Sequence, residues 1–184
     1  VEALALDFGA AADAFEPGQP VPHRPADWRS YLRGMAAGLA ARGLPVAPAR
    51  LAIAGSIPRG SGLSSSASLC VALGRAFAAL AGAEWTATDL ALAAQAAEHQ
   101  WAGVHCGVMD QMAVAAGEPG HALLLDCSNL ASRTVALPKD WAVMIVQSGV
   151  RRGLVDGHYN ARRADCEAAA AALGLPSLRE ASLS

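Results

Sequence analysis

The segment Ser56-Ile-Pro-Arg-Gly-Ser-Gly-Leu-Ser-Ser-Ser66 constrains this 184-residue chain more than any other stretch. It follows Arg50 to Ala54, which reads as a short strand ending at Gly55. It leads into a helix whose apolar stripe is Leu69, Leu73, Phe77 and Leu80. Glycines let backbone N–H groups turn inward without Cβ clashes, and a helix N-terminus adds free amides and the positive end of a dipole. Gly60, Ser61, Gly62, Leu63, Ser64, Ser65 and Ser66 therefore suit a phosphate, with hydroxyls able to donate to its oxygens or to ligate Mg²⁺. The same residues also suit a plain N-cap turn, in which one serine caps the helix and the others face water. Two sharper motifs fail. A P-loop requires Lys after the second glycine of Gly55…Gly60, where Ser61 stands. A nucleophile elbow starting at Gly62 requires glycine where Ser66 stands.

The rest of the chain mixes strands and helices, which makes an α+β protein. Leu4, Leu6 and Phe8 alternate as in a half-buried strand, and Phe15 to Pro25 is a loop. Asp27 is placed to cap a helix from Trp28 to about Ala41, with Tyr31, Met35 and Leu39 on one face. Thr86 and Asp89 resemble a capping box for a helix reaching Trp101, with Leu90, Ala94, Ala97 and Trp101 inward. His121–Asp126, Arg133–Leu137 and Trp141–Gln147 read as strands, and Asp156–Leu173 as a helix ended by Gly174 and Pro176.

Composition excludes several classes. With 53% hydrophobic residues the chain has ample material for a core, so it is not intrinsically disordered. Fourteen Lys and Arg against sixteen Asp and Glu leave no basic face for nucleic acid. No apolar run approaches the roughly 18 residues of a membrane span. The first residues, Val1 to Asp7, do not read as a secretory leader. Cys70, Cys106, Cys127 and Cys166 have no CxxC spacing and read as buried thiols of a reduced, cytoplasmic protein.

Two acidic residues stand out. Glu98 lies near a helix end, and Asp110 follows after Gly103 and Gly107 in Cys106-Gly-Val-Met-Asp-Gln111. Phosphoryl transfer needs one carboxylate on Mg²⁺ and another near the attacking hydroxyl, and a glycine turn between the two can return both to the serine loop. Read alone, a Glu such as Glu98 is more often a solvated helix residue. Asp110 sits among Val108, Met109, Met112 and Val114, where a charge needs a partner or a role.

Pro58-x-Gly60-x-Gly-Leu-Ser-Ser-Ser-Ala-Ser68 resembles the phosphate-binding motif of the GHMP kinases. Further stretches resemble the galactokinases among them: Asp27-Trp-Arg-Ser-Tyr-Leu-Arg-Gly34, Glu98-His-Gln-Trp-Ala-Gly103, Cys106-Gly-Val-Met-Asp-Gln111, Gly120-His-Ala-Leu-Leu-Leu-Asp-Cys127 and Tyr159-Asn-Ala-Arg-Arg163. The resemblance spans about Trp28 to Glu167. It implies an N-terminal α+β domain of ribosomal-protein-like fold with a left-handed βαβ unit, here residues 1–138. Residues 139–184 would begin a second α+β domain.

The implied activity is ATP-dependent phosphorylation of the anomeric hydroxyl of galactose in the cytoplasm. Gly60 to Ser66 would cradle the nucleotide phosphates, and Ser66 and Glu98 would ligate Mg²⁺. Asp110 would be the catalytic carboxylate, also touching the sugar. Tyr159 would hydrogen-bond the sugar, and the backbone around Cys106 and Gly107 would line its pocket. N-acetylgalactosamine and arabinose kinases share these motifs, and a non-catalytic galactose and ATP sensor is the alternative of another class.

The chain departs from the galactokinase pattern in two places. The Gly-Arg-x-Asn-Leu-Ile-Gly-Glu-His-x-Asp-Tyr signature is not matched, nor is the glycine-rich motif of the second domain. The expectation is an internal piece of a monomeric protein roughly twice as long. Alone it would show little turnover and would self-associate through uncovered apolar surface.

Overall fold

The computed structural model describes residues 1–23, 27–146 and 158–182, with side chains at all of these except 158 and 159. Strands β1 (Glu2–Ala5) and β2 (Ala11–Ala14) form an antiparallel hairpin through a 3-10 turn at Leu6–Phe8. Helix α1 (Trp28–Ala40) then leads to β3 (Arg50–Ile53), which lies parallel to β1 on its other side. Helices α2 (Ser65–Leu80), α3 (Ala87–Ala97) and α4 (Met109–Ala116) follow, with a π-helical turn at Glu98–Ala102 extending α3. A separate hairpin pairs β4 (His121–Leu125) with β5 (Ser132–Ala136), and α5 (His158–Ala172) comes last.

Local chemistry explains these boundaries. The Asp27 carboxylate accepts the Arg29 amide at 2.9 Å and caps α1. Thr86 and Asp89 form the complete reciprocal capping box expected of them. Arg33 on α1 holds Asp13 of β2 through two N–H···O contacts of 2.9 and 2.6 Å, tying the helix to the hairpin edge.

The core sits among the four helices and the inner face of the three-stranded sheet. Helix α3 is central and packs on α1, α2 and α4. Its Leu90, Ala91, Ala93, Ala94 and Ala97 are buried, so the alanine bias of the sequence lets helix axes approach closely instead of filling volume. Tyr31, Met35 and Leu39 of α1 are buried together, as their spacing predicts.

The structure corrects several sequence expectations. Leu4, Leu6 and Phe8 face outward, and the opposite phase, Ala3 and Ala5, is buried. Ala3 and Ala5 belong to the same core cluster as Leu32 and Met35 of α1, so the sheet meets the core through small side chains. Strand β2 and helix α4 are additions to the elements read from the sequence. Leu80 is exposed at the end of α2. Residues 141–146 are exposed and in no strand, and position 147 lies outside the described residues. Cys70 is buried and Cys106 half-buried, but Cys127 and Cys166 are exposed; all four are free thiols.

Two helix glycines mark the closest approaches. A Cβ at Gly34 would lie 2.8 Å from Trp101 Cγ and 3.0 Å from Ala97 Cβ, both on rigid groups. At Gly74 it would meet only the flexible ends of Leu90 and Met35. Gly34→Ala should therefore destabilise the chain by ~1–3 kcal/mol despite alanine's better helix propensity. Gly74→Ala should cost less. Urea midpoints of the two variants check the order, and equal midpoints would contradict it.

Candidate active site

The serine loop is built by backbone conformation. Gly60 (φ 68°), Gly62 (φ 77°) and Ser64 (φ 56°) are all left-handed, so every second residue of the loop turns the chain the same way. Alternation of this kind points successive amides into one concavity, an anion-binding nest. Ser64 is the N-cap of α2, yet no side chain caps that helix. Ser61 instead donates its hydroxyl to the Pro58 carbonyl at 2.6 Å. The capping-turn alternative thus fails, and the first amides of α2 are left without a side-chain partner among the described residues. Holding a non-glycine residue left-handed costs roughly 1–2 kcal/mol, and such strain collects at sites that bind or react.

Ser66 carries the connection to the acidic residues. Its hydroxyl donates to Glu98 Oε2 at 3.0 Å, joining the first turn of α2 to the π-helical turn after α3. The other carboxylate oxygen, Oε1, accepts from Gln111 Nε2 of α4 at 2.7 Å. Glu98 is only 2% exposed, which removes the solvated-helix alternative. Burial raises its pKa above the usual carboxylate value, opposed by the Gln111 and Ser66 hydrogen bonds and reinforced by the charge of Asp110. The same burial, with Glu98 as the second cause, raises the pKa of Tyr31 and pushes Cys106 up to about 11.

Asp110 is half-buried in the first turn of α4, near enough to Glu98 to act on its charge. Helix α4 has no side-chain cap, and Asp110 stands at the end where its first amides are free. The structure therefore brings Ser66, Glu98 and Asp110 together. Cys106 lies beside them, its sulfur 3.3 Å from Gln111 Nε2, with Gly107 next to it and exposed. Tyr159 stands at the start of α5, its side chain outside the described residues.

Two features escaped the sequence reading. Gln111 is fully buried, and its signal is its phase, since Val108, Gln111, Met112 and Ala115 make up the inward face of α4. The second is a cleft of about 290 Å³ beside the serine loop, between β3, α2 and the 3-10 turn, lined by Phe8, Ile57, Arg59, Ser65 and Leu69. The Arg59 guanidinium lies 4.1 Å over the Phe8 ring, and Asp7 accepts the Gly55 amide at 2.6 Å, pinning the start of the loop.

The donor set fits a hard divalent cation. Ser66 Oγ and Glu98 Oε2 are two adjacent oxygens, and the hydrogen-bond partners of the buried carboxylate are neutral. Among the described residues no group of three or more His, Cys, Asp or Glu converges on one position. This is the partial shell expected for Mg²⁺, which takes one or two protein oxygens and completes its six with phosphate and water.

Residues 30–118 match the family described as GHMP kinases N terminal domain. That segment holds the serine loop, Glu98 and Asp110 together. Residues 30–118 are a GHMP kinase N-terminal domain, and the chain around them is galactokinase-like in fold. The crystal structure of Lactococcus lactis galactokinase complexed with galactose superposes with a TM-score of 0.83 at 26% sequence identity, over 98% of this chain. The match covers 48% of that galactokinase, so the chain spans about half its length. The α+β fold class expected from the sequence is the one observed. No helix of the described residues is long and apolar enough to cross a membrane.

The GHMP kinase domain makes a pH prediction. Glu98 has a folded-state pKa above its ordinary value of 4.5. Its contribution to stability is full below the unfolded value and is lost as pH rises through the raised folded value. Without divalent cation, Glu98→Gln should lose less stability than the parent across that window. Urea midpoints at a series of pH values read this directly, and parallel profiles would contradict it.

Proposed function

We propose that this chain is the nucleotide-binding part of an ATP-dependent sugar kinase of the GHMP type, with galactose as the sugar and its anomeric hydroxyl as the acceptor. The observation that carries the reading is the Ser66–Glu98–Gln111 contact, which fixes the serine loop against a buried carboxylate beside Asp110. Residues 1–138 form the ATP-binding domain in this reading, and residues 139–184 open a second one. Similarity to a galactokinase complexed with galactose supports the choice of sugar.

The residues divide the work by position. Loop amides from Gly60 to Ser66 take the nucleotide phosphates, and the cleft at Phe8 and Ile57 takes the base. Ser66 and Glu98 would hold Mg²⁺, which when bound neutralises charge on the phosphate oxygens. Asp110, at the start of α4, accepts or orients the proton of the sugar hydroxyl. Gly107 and the Cys106 backbone line the sugar side, and Tyr159 is the residue that would hydrogen-bond the sugar. Positioning and charge neutralisation are nearly all that phosphoryl transfer asks of a protein.

ATP-dependent phosphorylation of galactose, N-acetylgalactosamine and arabinose by the natural full-length protein tests the reading. Galactose should be the best acceptor, and Asp110→Asn should lower kcat by about 10²–10⁴-fold while nucleotide binding is retained. Equal turnover by Asp110→Asn would remove Asp110 from the chemistry. Nucleotide and sugar binding without turnover in the parent protein would favour a sensor.

A further inference from the structure

The stretch Gly103–Cys106 joins the turn that carries Glu98 to the helix that carries Asp110, and it has no regular secondary structure. Its polar backbone atoms are nevertheless engaged. Within the segment, the Val104 amide donates to the Glu98 carbonyl at 3.0 Å and the Cys106 amide to the Val104 carbonyl at 2.9 Å. From α3 and the turn after it, Gln95 Nε2 donates to the Cys106 carbonyl at 3.2 Å, and His99 Nε2 lies 2.7 Å from the same oxygen. The remaining contacts come from far along the sequence. Asn160 Oδ1, on α5, accepts the His105 amide at 3.1 Å, and Asn160 Nδ2 donates to the Gly103 carbonyl at 3.4 Å. Arg163 Nη1 reaches the His105 carbonyl at 3.3 Å.

Asn160 differs from the other partners in kind. One planar amide both accepts and donates to peptide groups two residues apart, so it fixes their relative orientation as well as their distance. Arg163 is shared with Glu167 at 2.7 Å and its side chain is 43% exposed, so its hold on the loop is weaker. The segment is held by side chains from two sides, and it joins the turn that carries Glu98 to the helix that carries Asp110.

We infer that Asn160 is a positioning residue: through the Gly103 and His105 backbone it sets the placement of Asp110 relative to Glu98 for phosphoryl transfer. This rests on the sugar-kinase reading, because the readout is catalysis, but the bracket itself is measurable without it. It also assigns a role to the Tyr159-Asn-Ala-Arg-Arg163 stretch beyond the tyrosine.

The test compares Asn160→Ala and Asn160→Asp in the natural full-length protein by steady-state kinetics and by hydrogen–deuterium exchange of the 99–109 peptide. Asn160→Ala should lower kcat about tenfold, since misplacement of reacting groups is felt chiefly in the chemical step. The KM for ATP should stay within about twofold, because the serine loop is untouched. Exchange in 99–109 should quicken about tenfold, with peptides of α2 unchanged. Asn160→Asp keeps the acceptor for the His105 amide but loses the donor to the Gly103 carbonyl, so it should recover only a minor part of either loss. Unchanged exchange in Asn160→Ala would overturn the bracket, and faster exchange with unchanged kcat would overturn the positioning role. A rise in the ATP KM matching the fall in kcat, or a general rise in exchange, would show a merely structural contact and also overturn it. If the parent protein phosphorylates no sugar, the functional reading fails, and the exchange comparison alone decides for or against the bracket.

Discussion

A buried carboxylate without a cationic hydrogen-bond partner is the constraint on which the rest of this structure depends. Glu98 is almost wholly removed from water, and an ion so placed is tolerated only where its lone pairs are met. Three helices converge to meet them: Ser66 opens α2, Glu98 closes α3, and Gln111 lies on the inner face of α4. The alanines of α3 make this convergence possible. Ala91, Ala93, Ala94 and Ala97 are buried and small, so α1, α2 and α4 all approach the same helix. Burial raises the proton affinity of Glu98, and in the proposed reading a cation beside Ser66 would offset it.

Backbone conformation supplies what side chains do not. The alternating left-handed residues of the serine loop aim amides inward and leave α2 uncapped. The π-helical turn at Glu98–Ala102 interrupts the α-helical phase at the residue that needs to reach Ser66. Single π turns inside helices occur often at functional sites, where they redirect one side chain without breaking the helix. Trp101, in that turn, then packs over Gly34 and locks the turn against α1.

Much of this was legible from residue order. The Ser56–Ser66 loop, the Asp27 cap, the Thr86–Asp89 capping box and the Tyr31, Met35, Leu39 face all follow from local chemistry, and the structure has each of them. What was not legible depends on competition for space or on distant partners. The outward turn of Leu4 and Phe8 depends on which face of the sheet meets the core, and an alternating pattern does not fix that by itself. The burial of Glu98 is decided by Ser66 and Gln111, 32 and 13 residues away. Helix α4 is only eight residues long and starts without a capping side chain, so it gives little periodic signal. The Asn160 contacts join positions 55 and 57 residues apart, a distance at which no spacing rule operates.

The central claim is that Ser66 and Glu98 act as one cation-holding unit at the mouth of the serine loop. Binding of Mn²⁺ in the presence of ADP, followed by the electron paramagnetic resonance of the ion, tests it most directly in the parent protein, Ser66→Ala, Glu98→Gln and the double variant. The account predicts that each single variant weakens nucleotide-dependent Mn²⁺ binding, and that the double variant is little worse than either, the signature of two ligands that act together. Binding undiminished in Glu98→Gln, or losses that simply add, would contradict it.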